Sequence, residues 1–356
     1  MKIVVKIGTQ SILSADGIPL ESVFNSLAEQ IINVKNEGHK VILVSSGAVC
    51  LGRQVAKRIL NREYGSSIGE KQLLASIGQH ELMNIYSSLF EKYNIAVSQL
   101  LLTKQDFETR KKYLNIKRIF EELFLNDGVL PIVNENDSVA IEELMFTDND
   151  ELSGLIATQI GADKLIILSN VCGVYDGSPA DEKSQLIPVI DPKTGWPEVS
   201  TTKSAHGRGG MFSKLNTARN ASGVGIMTHI ACANHPKVIE EIIYGNQVGT
   251  AIIPSEKKSN IKRWIAYNAD YSRSSIIIND GLLNILKNKK EMVSILPVGI
   301  EKISGEFKKG DIIKIKSLSG DTVGIGVARY DDKKLKELLG QKNSKEFIHC
   351  DYMHIF

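Results

Sequence analysis

Short apolar, β-branched runs recur along the first 255 residues, separated by longer stretches whose apolar positions return every third or fourth residue. The runs Lys2–Ile7, Lys40–Val44, Val97–Leu102, Val129–Val133, Lys164–Leu168 and Ile226–Ala231 read as strands. Between them, Leu20–Glu37, Glu70–Tyr93 and Asn115–Leu125 read as helices. Strands alternating with crossover-length helices predict an α/β domain, a three-layer αβα sandwich with a largely parallel sheet. Ligands of such folds sit beyond the carboxyl ends of the strands.

After the basic stretch Lys257–Arg263 the pattern tightens to closely spaced β-like runs at Ser275–Ile278, Val293–Leu296, Asp311–Ile315 and Thr322–Val327. Glycines punctuate them at Gly299, Gly305, Gly310 and Gly320, as in a small β-rich barrel. The expected division is a first domain over residues 1–258, a linker over 259–272 and a second domain over 273–356.

The chain has 356 residues, 42% of them hydrophobic, enough to bury two cores. No apolar run approaches the roughly 18 residues of a membrane span, and the first strand is too short for a signal peptide, so a cytoplasmic protein without membrane contact is expected. Cys50, Cys172, Cys232 and Cys350 are too dispersed for a disulfide framework or a zinc site and are expected to be buried small residues. Net charge is +2 overall, made of −1 before Asp270 and +3 from there on, a balance that gives little support to nucleic-acid binding.

Four stretches could carry chemistry. In Val5-Lys6-Ile7-Gly8-Thr9 a lysine closes a strand and a glycine follows, which suits a phosphate and equally suits a plain strand end. Ser45-Ser46-Gly47-Ala48 follows the second strand and could hold a small polar ligand or simply start a helix. Asn134-Glu135-Asn136-Asp137 and Asp148-Asn149-Asp150 cluster amides and carboxylates. The second cluster precedes the helical stripe Leu152, Leu155, Ile156 and Ile160, and capping that helix accounts for one cluster but not both. Gly207-Arg208-Gly209-Gly210-Met211-Phe212-Ser213-Lys214 is a glycine-rich approach to another helix, an anion site or a surface loop. It lacks the G-x-x-x-x-G-K-[ST] order of a P-loop.

With these elements the sequence resembles the glutamate 5-kinases of the amino acid kinase family, which carry a C-terminal PUA domain. The resemblance extends over Lys71–Ala75 with Gly78-Gln79, Gln99–Thr103, Lys262–Ile265, Leu296–Ile300 and Gly324–Tyr330. It implies ATP-dependent phosphorylation of the glutamate side-chain carboxylate, the first step toward proline, with ATP and Mg²⁺. It further implies that Lys6 and Lys214 are catalytic and contact ATP, and that Asp148 and Asp150 organise the lysines and the magnesium-bound phosphates. Ser46, Asp137 and Asn149 would bind L-glutamate, and Gly8, Ser169, Asn170 and the loop Arg208, Gly209, Gly210, Met211, Phe212 and Ser213 would surround the nucleotide. No residue is assigned as a direct metal ligand. Where the family's nucleotide-side strand usually ends in Thr-Asp, this chain has Ser169-Asn170, which keeps a hydroxyl and a polar group and loses a charge. A homo-oligomer and a hand-off of the labile product to glutamyl phosphate reductase are also implied. Kinases of the same fold acting on acetylglutamate, aspartate, carbamate or UMP are the alternatives. RNA binding by the tail is a less favoured one, because Asp311 interrupts the strip formed by Lys308, Lys309, Lys314 and Lys316.

Overall fold

In the computed structural model of the chain, residues 1–108, 110–140, 148–179, 181, 183–197, 210–255, 274–287, 293–342 and 344–355 are described. The first apolar run forms β1 (Lys2–Ile7), buried on both faces near the middle of a sheet because nearly all of its side chains are apolar. Chain order continues with a single turn α1 (Thr9–Ile12), α2 (Glu21–Asn36), β2 (Lys40–Ser45), α3 (Ala48–Val55), α4 (Ile68–Glu91), β3 (Ala96–Leu102), α5 (Gln105–Glu108), α6 (Arg110–Phe124) and β4 (Val129–Glu135). Then follow α7 (Asn149–Ile160), β5 (Lys164–Ser169), β6 (Val189–Ile190), α8 (Met211–Gly223), β7 (Met227–Cys232), α9 (Val238–Tyr244) and β8 (Thr250–Ile252). The sheet order is β3-β4-β2-β1-β5-β7-β8-β6, and every neighbouring pair is parallel except β7 with β8.

Register decides which residues share the functional edge. Ile7 pairs with Ser45 and Leu168, Leu102 with Glu135, and Ser169 with Cys232, so six parallel strands end side by side. The segments Gly8-Thr9, Ser46-Gly47, Asn136-Asp137 and Asn170 therefore leave the sheet along one rim. On one face, Ile3, Val5 and Ile7 pack with Phe24, Leu27 and Ile31 of α2 and Leu82, Tyr86 and Phe90 of α4. Each such side chain contributes roughly 1.5–3 kcal/mol by leaving water.

Two glycines let α3 and α4 touch. A Cβ on Gly78 would stand 1.8 Å from the Ala48 carbonyl oxygen, and one on Gly52 would stand 1.9 Å from that of Leu74. Serine at 67 and glutamate at 70 form a reciprocal capping box that starts α4 at Ile68, two residues ahead of the sequence expectation.

The chain folds as two compact units, Met1–Lys104 with Ile116–Lys257 and Gln105–Asn115 with Lys258–Phe356. In the second unit, β9 (Ser275–Ile278), α10 (Asp280–Lys287), β10 (Ile300–Ser304), β11 (Ile312–Lys316), β12 (Thr322–Val327), α11 (Asp332–Leu338) and β13 (Met353–Ile355) build a sheet of order β10-β9-β11-β12-β13. Only β9 with β11 is parallel. Ile276, Ile313, Ile315, Phe307, Phe347 and Leu335 form its core. Gly305, Gly310 and Gly320 have positive φ, as turns between strands require, whereas Gly299 lies in a 3₁₀ turn. Val293–Leu296 is not a strand: Ile295 alone bridges to Ile348. Tyr113 of α6 packs with Ile312, Ile325 and Val327 in a second, smaller cluster, so part of the packing of this unit comes from the middle of the sequence. The expected linker, 259–272, lies outside the described residues.

The cysteines depart from expectation. Cys172 is exposed, Cys50, Cys232 and Cys350 are half-buried, and all four are free. They lie at element ends and on partly solvated faces, where burial was not required of them. No helix among the described residues is long and apolar enough to cross a membrane.

Gly78→Ala should destabilise the chain by about 3 kcal/mol, since the new methyl group meets backbone that cannot step aside. Gly69→Ala, with open space around its Cβ, should be neutral or add up to about 1 kcal/mol; urea denaturation distinguishes the two. His229 of β7 is buried, and its Nδ1 has no hydrogen-bond partner among the described residues. Burial, then the charge of Lys164, lowers its pKa from 6.5 to about 4. The unfolded chain therefore binds more protons between pH 4 and 6.5, so stability falls as pH drops through that window, by roughly 3 kcal/mol in all. His229→Leu should remove this slope in urea denaturation measured at a series of pH values.

Candidate active site

Alternation along β1 turns Lys6 to the face opposite Ile3, Val5 and Ile7, the face that α7 covers. There its Nζ lies 2.5 Å from Asp150 Oδ1, while Nζ of Lys214, in the first turn of α8, lies 2.8 Å from Asp150 Oδ2. Asp150 is completely buried. Burial alone would raise its pKa, but the two lysines more than reverse this and hold it at about 2. Reciprocally, burial works to lower the Lys214 pKa, and Asp150 outweighs it so that the value is raised. The trio thus keeps one net positive charge at the rim of the sheet, in a place where an isolated lysine would be costly to ionise.

Asp148 caps α7. Its Oδ1 accepts hydrogen bonds from the backbone N–H groups of Asp150, at 2.9 Å, and Glu151, at 3.2 Å. Its Oδ2 is buried and has no hydrogen-bond partner among the described residues. Burial, then the charge of Asp150, pushes its pKa up to about 6, against the opposing influence of Lys6, Ser213 and Lys214. A buried carboxylate oxygen without a partner is suited to a hard cation.

Asn149, between these aspartates, points toward β2 and β4. Its Nδ2 donates to Ser46 Oγ at 2.8 Å and to Asn134 Oδ1 at 2.8 Å, and its Oδ1 accepts from the Glu135 backbone N–H at 3.2 Å. Gly47, with φ of +118°, turns the chain from Ser46 into α3, a conformation that few other residues adopt. Behind them, the Ser45 hydroxyl is 2.8 Å from that of Tyr86, whose pKa burial pushes far above the usual phenol value. One end of the rim is therefore built of neutral hydrogen-bonding groups, and the other holds two lysines with two carboxylates.

The remaining candidates are arranged around these two ends. A Cβ added to Gly8 would lie 3.5 Å from Lys6 Nζ, an ordinary contact that places Gly8 directly beside the lysine head. Ser169 ends β5, and Asn170 donates through Nδ2 to Gln10 Oε1 at 3.2 Å. Asp137 is half-buried in the turn after β4. Gly210 is the N-cap of α8; Met211, Phe212 and Ser213 form its first turn with Lys214, and the Phe212 side chain is exposed. Arg208 and Gly209 lie outside the described residues. The structure thus gathers Lys6, Lys214, Asp148 and Asp150 into one cluster and Ser46 with Asn149 into a second beside it. Sequence reasoning gave no role to Gln79, which accepts from Asn134 Nδ2 at 2.8 Å, or to Gln10. Both are polar residues on helical turns whose partners are distant in sequence, so spacing carries no sign of them.

Comparison with known proteins agrees with this architecture. Residues 1–232 match the amino acid kinase family and residues 274–350 match the PUA domain. Over 358 residues the chain is 41% identical to the glutamate 5-kinase of Bacteroides thetaiotaomicron, covering 99% of this chain and 98% of that protein. Over 356 residues it is 42% identical to the glutamate 5-kinase of Chlorobaculum tepidum, covering 99% and 97% respectively. In fold it is similar to the UMP kinase of Bacillus anthracis, with a TM-score of 0.50 and 15% identity over 72% of this chain and 96% of that one. It is likewise similar to the isopentenyl phosphate kinase of T. acidophilum, with a TM-score of 0.50 and 14% identity over 71% of this chain and all of that one. By this full-length identity, the chain belongs to the amino acid kinase family and, within it, to the glutamate 5-kinases with a C-terminal PUA domain.

Proposed function

We propose that the protein transfers the γ-phosphoryl group of ATP to the side-chain carboxylate of L-glutamate, giving L-glutamyl 5-phosphate, the first step of proline biosynthesis. The observation that carries this reading is the pair of lysines, from two separate elements, held on one buried carboxylate at the strand-end rim. Identity to glutamate 5-kinases over the whole chain supports the choice of acceptor.

The glutamate side chain, with an ordinary pKa of about 4.3, is ionised at neutral pH and attacks without a general base. One carboxylate oxygen bonds to the γ-phosphorus, the bond from that phosphorus to the β–γ bridging oxygen breaks, and ADP leaves with the electron pair. The barrier lies in bringing one anion to another and in the charge spread over the phosphoryl oxygens. Lys6 and Lys214, fixed by Asp150 before substrate arrives, supply positive charge there without reorganisation. Backbone N–H groups of the first turn of α8 add to it. The hydrogen-bonding end, Ser46 and Asn149 with Asp137 in the turn after β4, would hold the amino acid, while Gly8, Ser169, Asn170 and Gly210–Ser213 would border the nucleotide. Asp148 fits Mg²⁺ through its unpartnered Oδ2. When bound, Mg²⁺ neutralises phosphate charge. The product is a labile acyl phosphate, which favours prompt consumption by a reductase. A cytoplasmic homo-oligomer accords with this role.

Purified protein with ATP and Mg²⁺ should release ADP with glutamate and form a hydroxamate in the presence of hydroxylamine. The same assay with acetylglutamate, aspartate, carbamate and UMP decides among acceptors, and silence with glutamate would overturn the proposal. Lys6→Ala and Lys214→Ala should each lower kcat by about 10²–10³-fold, as loss of a preorganised charge contact does elsewhere, with a smaller change in KM for glutamate. Unchanged turnover in either variant would remove that lysine from the chemistry.

A further inference from the structure

The amide cluster beside Ser46 has a defined hydrogen-bond direction. The backbone N–H of Glu135 donates to Asn134 Oδ1 at 2.9 Å and to Asn149 Oδ1 at 3.2 Å. Turning either amide over would set its NH₂ against this N–H, donor to donor, so this one group settles the orientation of both side-chain amides. Asn149 must then turn Nδ2 toward Ser46 Oγ, which becomes an acceptor there and keeps its own hydrogen to donate elsewhere. Asn134 must turn Nδ2 the other way, and among the described residues Gln79 Oε1 is the acceptor it meets, at 2.8 Å.

Asn134 is only 2% exposed, so without an acceptor at position 79 its Nδ2 would be left buried and unpaired. Turning Asn134 over would satisfy Nδ2 no better, since it would confront the Glu135 N–H and remove the oxygen that Asn149 Nδ2 bonds. Gln79 follows Gly78, whose contact with Ala48 fixes this turn of α4 against the start of α3. We propose that Gln79 is a positioning residue: by accepting from Asn134 it holds the chain Asn134–Asn149–Ser46 with the Ser46 hydroxyl as an outward donor, the polarity a substrate carboxylate requires. This rests on the kinase reading above, in that it takes the acceptor substrate to lie at Ser46.

The test is steady-state kinetics of the full chain, wild type against Gln79→Met, which removes the acceptor at similar length, and Gln79→Glu, which keeps it. The KM followed is that for whichever acceptor the wild type turns over, so a substrate other than glutamate would refute the glutamate reading and still test Gln79. Gln79→Met should raise that KM about tenfold, with kcat and KM for ATP within threefold. Gln79→Glu should stay within threefold of wild type throughout, because two amide groups separate residue 79 from Ser46. A Gln79→Met KM within twofold of wild type, or equal losses in the two variants, would overturn the proposal. Should Gln79→Met fail to fold, Gln79→Leu carries the same expectation and the same refuting outcomes.

Discussion

Asp150 is the point on which the site depends. One fully buried carboxylate forms an ion pair through each oxygen, one with β1 and one with α8, and thereby joins the centre of the sheet to a helix that begins over 200 residues along the chain. Burying a lone carboxylate or a lone lysine there would cost several kcal/mol, and removing one member of such a pair typically costs 3–5 kcal/mol. The trio therefore reads as a preorganised positive site rather than a source of stability. Asp150 neutralises only one of the two lysines, and Asp148 is the second carboxylate within reach of both.

The helix that supplies Asp150 has three consecutive residues with three different tasks. Asp148 ties off the free backbone N–H groups of the first turn, Asn149 reaches across to β2 and β4, and Asp150 faces β1. This works because the N-terminus of α7 sits above the rim where β2, β1 and β4 end, so successive side chains, about 100° apart around the helix, meet different strands. The hydrogen-bonding end of the rim depends in turn on the close approach of α3 and α4 at Gly52 and Gly78, which sets where Ser46 and Gln79 stand.

Much of this was legible in the chain. The apolar runs of β1, β2, β4 and β5 were evident because a strand buried on both faces has almost no choice of residue, and their ends appear within two residues of where they were read. The S-x-x-E start of α4 is equally local, although the apolar periodicity alone placed it two residues late. The segment Val293–Leu296 misled, since a short apolar run fits a strand and a buried bridge alike, and only pairing with Ile348 decides between them. The recruitment of Tyr113 to the core of the second unit has no local signature at all.

By itself, the sequence determined the two kinds of core, the strand ends that carry glycine, serine and asparagine, and the residue types available for chemistry, because periodicity and turn chemistry act over a few residues. Through the resemblance of its motifs it also determined the family. Tertiary structure alone decided that Lys6 and Lys214 share one carboxylate, that Asp148 keeps a buried oxygen without a partner, and that Gln79 directs the amides leading to Ser46. Those are pairings between residues tens to hundreds of positions apart, and their energies depend on burial and on distances of about 3 Å, which exist only once the sheet has brought the strand ends together.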